Sequence, residues 1–271
     1  MTRRRGFTLT EILIAVVMLG IVGLGISQLL VSQMRFFSRA TNQRDARSVS
    51  RNALNIVRDE MRMIEPRGIT AASDTSITVH VPYAMGVTCT GSATTFVPLD
   101  SLTRANAVFR GYAYRDTSLN SSYTYVASTT APAVGAGATC LAAGITPIAA
   151  GYSVTLSPAL PSLPSGAPIF LYQTITYSLK ASTLVPGRTA LWREVDGGPS
   201  EEIAVPFENT AIFRFYVSGG TTSQASPPNP LNTITGIELV LVGESARSSP
   251  GTNTPESSGV RLSIFFRNAV Y

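Results

Sequence analysis

MTRRRGFTLTEILIAVVMLGIVGLGISQLLV, residues 1–31, decides what kind of chain this is. Three arginines, one glycine and one acid precede an apolar run from Ile12 to Ile26, which continues with little interruption to Val31. Counted from Phe7 the run is about 25 residues, enough at 1.5 Å per residue to cross a hydrocarbon core of about 30 Å. Arg3, Arg4 and Arg5 are expected to stay in the cytoplasm, with everything after Val31 on the far side. A cleaved secretory signal would have a shorter apolar core and a small-x-small exit, and the Ser27-Gln28 exit matches neither. One residue is foreign to a plain anchor. Glu11 sits at the edge of the apolar segment, where a carboxylate nearer the bilayer centre costs about 2.5–3.5 kcal/mol, so it needs a partner.

The string Gly6-Phe7-Thr8-Leu9-Thr10-Glu11, after a short basic leader and before a long apolar helix, resembles the class III signal of type IV pilins and pseudopilins. The resemblance implies that residues 1–6 are a leader, that a prepilin peptidase cuts between Gly6 and Phe7, and that the new Phe7 amine is N-methylated. Glu11 then becomes the fifth mature residue, and the amine of a neighbouring subunit's Phe7 supplies its partner inside an apolar filament core, fixing assembly register. Thr10 departs from the Leu or Ile commoner at that place. Gly20, Gly23 and Gly25 superficially imitate a phosphate loop, but they lie inside the apolar segment with no strand before them. They mark points where the helix bends, or are simply tolerated as glycines of a membrane helix.

Beyond the filament-core segment, 7–31, no proline interrupts the chain until Pro66, and Ala46, Val49, Ala53, Ile56, Val57, Met61 and Ile64 recur at three- and four-residue steps. This predicts one amphipathic helix over 32–66, continuous with the apolar span and ending near Ile64. Arg44, Arg47, Arg51, Arg58 and Arg62 fall on one side of it as a basic ridge. Its readings are a solvated face, contact with acidic groups of neighbouring subunits, or contact with DNA. The formal charge of +5 has a local origin: residues 1–66 hold ten arginines against five acids, and the remainder is balanced at eleven each. No basic nucleic-acid-binding head is indicated, and no specific nucleic acid is expected as a partner.

After Pro66 the period changes to two. Ile77–Val81, Ala107–Tyr114, Ile169–Leu179, Ala190–Val195, Ala211–Val217, Ile234–Val242 and Val260–Phe266 read as strands, and the Ser-, Pro- and Gly-rich stretches Ser157–Pro168, Gly219–Pro230 and Ser245–Gly259 as exposed loops. The fold class is therefore α+β, a pilin-like fold in which one long N-terminal helix packs on an antiparallel β-sheet head, residues 67–271. A loop-rich insertion at about 83–168 would form a second small lobe. It contains Cys89 and Cys140, which can pair in only one way in a chain that leaves the cytoplasm, or remain two unrelated thiols. A bridge would close a loop of about 50 residues and contribute roughly 4 kcal/mol.

Ile175–Leu179, Leu191–Glu194, Ile212–Tyr216, Ile237–Leu241 and Phe265–Asn268, in this order and with Ala53–Arg62 on the helix, resemble PilW-like minor pilins and J-type pseudopilins of type II secretion. The resemblance implies a minor pilin that helps to assemble or prime a type IV pilus. Its expected partners are other pilins, the prepilin peptidase, the inner membrane and the pilus assembly machinery. Its expected location is the inner membrane, single-pass with a periplasmic head, before the pilus. The alternatives are a pseudopilin of a secretion system, or a tip adhesin or DNA-uptake module. No enzyme, cofactor or metal site is expected: His80 is the only histidine and lies between valines of an alternating strand, Glu201 and Glu202 are adjacent and would point to opposite faces, and Trp192 sits at a strand position where core packing is the common role.

Overall fold

The computed structural model describes residues 8–88, 94–96, 106–115, 122–135, 152–249 and 254–266. Gly6, Phe7, Cys89 and Cys140 lie outside them, so the cleavage site and the proposed bridge fall outside the described residues.

Leu9–Met61 forms one α-helix, α1, of 53 residues, roughly 80 Å long at 1.5 Å per residue. Nothing in this stretch lacks a backbone N–H, and the helix stops before Pro66, whose ring disfavours a helical predecessor. A short 3₁₀ turn, Pro66–Gly68, redirects the chain into the head. Along α1 the buried positions are Asn42, Ala46, Ser50, Ala53, Leu54, Val57 and Met61, the three- and four-residue steps that keep side chains on one face. Small residues lead this face and larger ones follow. The sheet therefore approaches α1 closely at Ala46 and is held off by side chains at Val57 and Met61. Full burial of such a side chain contributes about 1.5–3 kcal/mol.

Thirteen strands form one antiparallel sheet among the described residues. They are β1 (Ile69–Ala72), β2 (Ser76–Thr88), β3 (Thr94–Phe96), β4 (Gly111–Tyr114), β5 (Thr124–Ala127), β6 (Ala133–Gly135), β7 (Tyr152–Thr155), β8 (Pro168–Ala181), β9 (Thr189–Val195), β10 (Ser200–Phe207), β11 (Ile212–Val217), β12 (Ile234–Ser248) and β13 (Pro255–Phe265). The order is β11-β12-β10-β9-β8-β2-β3-β7-β6, with β1 beside β2, β13 beside β12, and β4 between β5 and β8. The result is one long N-terminal helix packed on a curled antiparallel sheet, an α+β pilin-like fold.

Strand β8 divides the head. One edge pairs with β2 along its length, from Pro168↔Val87 to Ser178↔Ser76. The other edge pairs with β9 only from Ile175 onward and with β4 only from Ile169 to Tyr172. Two cores result. The larger joins α1 to β1, β8, β9, β11 and β12 through Val57, Met61, Ile64, Tyr177, Phe213, Phe215 and Leu239, all nearly or fully buried. The smaller lies under β4 and the first half of β8, with Tyr112, Val154, Leu160, Leu163 and Ile169. Gly111 opens β4 with φ +152°, and a Cβ there would stand 2.2 Å from the Val126 carbonyl, so only glycine fits. Arg110, beside it, pairs with Asp196 at 2.7 Å and ties the smaller lobe to the β9–β10 turn.

Several sequence expectations are corrected here. The strand expected from Ala107 begins only at Gly111. Ser157–Pro168 lacks regular structure until its last residue but is not an exposed loop: Leu160, Leu163 and Ala167 are buried, because apolar residues between its prolines fill the smaller core. Ser245–Gly259 is not a long loop either, since β12 continues to Ser248 and β13 starts at Pro255. The helix ends at Met61 rather than Ile64. Trp192 is only half-buried, its Nε1 without a hydrogen-bond partner among the described residues.

Candidate functional site

The candidate site is the N-terminal half of α1. From Thr8 to Phe37 every residue is exposed, including Ile12, Leu13, Ile14, Leu19, Leu24 and Phe36. From Asn42 the same helix becomes buried by the head. So long an apolar surface left uncovered marks an interaction surface, and by length and composition the helix can cross a membrane.

Thr8 caps the helix with extended backbone angles, φ −82° and ψ 151°. Its hydroxyl accepts from the Glu11 N–H at 3.4 Å, and Glu11 Oε2 accepts from the Thr8 N–H at 2.9 Å and from the Thr8 hydroxyl at 3.0 Å. This reciprocal pair is a capping box. Sequence reading treated Glu11 as a carboxylate lacking a partner, whereas in the single chain Thr8 satisfies it. The Thr-x-x-Glu spacing before an apolar run was the available signal for this pairing.

At the other end of α1, Glu60 fastens the helix to the sheet. Arg193 of β9 donates through Nη2 to Oε1 at 2.9 Å and through Nε to Oε2 at 3.3 Å. The buried Tyr177 hydroxyl of β8 donates to Oε2 as well. Burial, reinforced by the Glu60 carboxylate, pushes the Tyr177 phenol upward, so it stays a donor. No sequence motif flagged this cluster, because its members are 117 and 133 residues apart.

Among the described residues the head's other polar groups do not converge on one site. His80 of β2 lies 4.1 Å from the ring of Tyr172, and its Nδ1 is 3.1 Å from the Thr174 hydroxyl. Burial lowers its pKa to about 4, leaving a neutral packing residue. Glu202 accepts from the Thr183 N–H and hydroxyl at 3.0 and 2.8 Å, bracing the β8–β9 turn. A cleft where α1 meets the smaller lobe is lined by Met63, Tyr83, Met85, Tyr123 and Phe170. Its Glu60 is held by Arg193. Its Glu65 is raised by burial, against a hydrogen bond from the Tyr123 backbone and the attraction of Arg115 and Arg67. Among the described residues no group of three or more His, Cys, Asp or Glu is placed to hold a metal.

Residues 1–27 match the family model of the prokaryotic N-terminal methylation motif. The motif supports a prepilin-type protein, a type IV pilin or pseudopilin, and a structural role rather than an enzymatic one. The apolar helix and the motif together fit a membrane-anchored chain with an extracytoplasmic head. No curated protein and no solved structure matches the chain.

Proposed function

We propose that this chain is a minor pilin, clipped between Gly6 and Phe7, N-methylated on Phe7, and built through α1 into a type IV pilus whose assembly it helps to prime. The observation that carries this reading is the division of one helix: Leu9 to Phe37 is largely apolar and uncovered, whereas between Asn42 and Met61 one face is buried by the head. A membrane covers the first part before assembly, and neighbouring helices cover it afterwards. Glu11 exchanges its capping contact with Thr8 for the charged Phe7 amine of a neighbouring subunit, which offsets the expense of an ion in an apolar core. The head, residues 67–271, is bulky for a repeating subunit, which favours a low-abundance place at the start or tip of the filament.

Other pilins, the prepilin peptidase and the inner membrane are the partners this role requires. The test is the N-terminal mass of the protein co-expressed with a prepilin peptidase. A mature chain starting at N-methyl-Phe7 supports the reading. Retention of Met1 through Gly6 would reject it.

A further inference from the structure

Counting 100° per residue, Arg35 and Arg39 lie within about 40° of each other on the helix face that carries Asn42 and Ala46. The head rests on that face, so both arginines lie beneath it. They are exposed, with no ion pair among the described residues. Gln28 and Ser32 continue the same face into the apolar span, and with Arg35, Phe36 and Arg39 they line a shallow groove. Val17, Ile21 and Leu24 extend the line as a purely apolar track.

The head meets α1 just beyond the end of this groove, at Asn42. Strand β12 runs down α1 from Gly243, against Ala46 and Ser50, to Arg247, whose carbonyl oxygen accepts from the Asn42 amide at 3.4 Å. From Phe37, the last fully uncovered apolar residue, to Asn42 the axial rise is only about 7–8 Å at 1.5 Å per residue. The exposed Arg247 end of β12 therefore stands over the level where the apolar span ends. Residues 27–47 hold four arginines, Arg35, Arg39, Arg44 and Arg47, against one acid, Asp45. Asp45 lies on another side of α1; of the two acids near the end of β12, Glu244 is buried and paired with Arg188 at 2.8 Å, and Glu256 of β13 accepts from the Ser249 hydroxyl at 2.8 Å.

We infer that Arg35, Arg39 and Arg247 form a docking surface for the phosphates of an anionic phospholipid bilayer, holding the head against the membrane before the subunit is extracted. The inference rests on the membrane-spanning reading of α1 given under Proposed function. Guanidinium groups engage phosphate oxygens in forked hydrogen bonds. Aromatic rings such as Phe36 and Phe37, both largely exposed, suit the boundary between chains and headgroups. An acyl chain then follows Val17, Ile21 and Leu24. The contact is electrostatic and must be undone when the subunit enters a filament.

The test uses the full chain in nanodiscs of zwitterionic lipid, or of the same lipid with about 30 mol% anionic phospholipid, read by amide hydrogen exchange. Residues 38–41 and 245–249 should exchange about fivefold more slowly in the anionic discs, with the difference lost near 0.5 M salt, where screening is nearly complete within roughly 5 Å. Arg35→Gln with Arg39→Gln should abolish the difference while leaving exchange of the β2–β8 ladder unchanged. Equal exchange in both lipids, or protection that follows the number of chains per disc rather than lipid charge, would overturn the docking surface. Recovery of the chain in the supernatant after an alkaline wash of sedimented cell membranes would instead overturn the membrane-spanning reading beneath it.

Discussion

Gly243 of β12 lies so close to Ala46 of α1 that a Cβ in place of its hydrogen would stand 2.3 Å from the Ala46 carbonyl oxygen. The Ser50 hydroxyl, also 2.3 Å from that point, hydrogen-bonds the same carbonyl at 3.3 Å. Neither the helix backbone nor this hydroxyl has room to retreat, because Ala46 and Ser50 are fully buried. Gly243→Ala is expected to destabilise the head by about 1–3 kcal/mol through overpacking. The comparison is Gly259→Ala on β13, where the nearest atom would be Val242 Cγ2 at 4.0 Å and little change is expected. Thermal unfolding of the two variants in detergent separates them.

The second prediction concerns the fastening of α1 at Glu60. Glu60→Ala strands the Arg193 guanidinium and the Tyr177 hydroxyl, with Tyr177 wholly buried. The ion pair is about a fifth to a quarter exposed, so the full penalty of a broken buried pair does not apply. A loss of about 1–3 kcal/mol is expected. Glu60→Gln should lose less, because its amide oxygen still accepts a hydrogen bond. Equal losses in denaturant titrations would show that charge alone holds the contact.

His80 predicts a pH dependence. Its pKa falls from 6.5 to about 4 in the folded chain because burial disfavours the imidazolium. Above pH 6.5 both folded and unfolded forms are neutral, and the full stability is present. Between 6.5 and about 4 the unfolded chain binds the proton more readily, so stability falls as pH falls. The ceiling is about 3 kcal/mol, and partial exposure of the ring reduces it. Glu65 and Glu244, both raised by burial, act in the opposite sense over the carboxylate range. Melting curves of the wild type and His80→Gln at a series of pH values from neutral down to about 4.5 isolate the histidine. Parallel curves would exclude it.

For Glu11 the expected outcome splits capping from pairing. Glu11→Gln keeps an oxygen able to accept from the Thr8 N–H but carries no charge, and Glu11→Ala keeps neither. Both should be cleaved and both should leave the head's unfolding unchanged, because Glu11 is far outside it and exposed. If the carboxylate pairs with a neighbour's amine, both variants fail to enter filaments. Normal incorporation of the glutamine variant would reduce Glu11 to a helix cap.

What the sequence disclosed follows from how strongly each segment is patterned. The apolar run, the unbroken stretch to Pro66 and the alternation in β8, β9, β11 and β13 are long and periodic, and all appear near their expected places. Strand β10 is read only at Glu201 and Glu202, whose side chains are expected on opposite faces; its extent to Phe207 is obscured by Pro206. The far half of β2 was hidden by Pro82, whose missing donor is absorbed by a register shift between Pro82 and Ala84. Strands β5 and β7 are only four residues each, too short to show a period. Leu160 and Leu163 were masked by the prolines around them. At the candidate site Glu11 was legible because a lone acid in an apolar run stands out, while Glu60 was not, since its meaning lies in residues distant along the chain.

The shared β2–β8 ribbon gives the head a mechanical character. Both lobes are built on the same two strands, paired from Val87↔Pro168 down to Ser76↔Ser178 with a single register shift between Pro82 and Ala84. A pull on the smaller lobe along the strand axis loads the backbone hydrogen bonds of that ladder together, in shear, instead of peeling them one after another. Tension between whatever the smaller lobe touches and the root of α1 is thereby carried by the backbone itself. Side-chain contacts such as Arg110 with Asp196 steady the lobe's angle without having to bear that load.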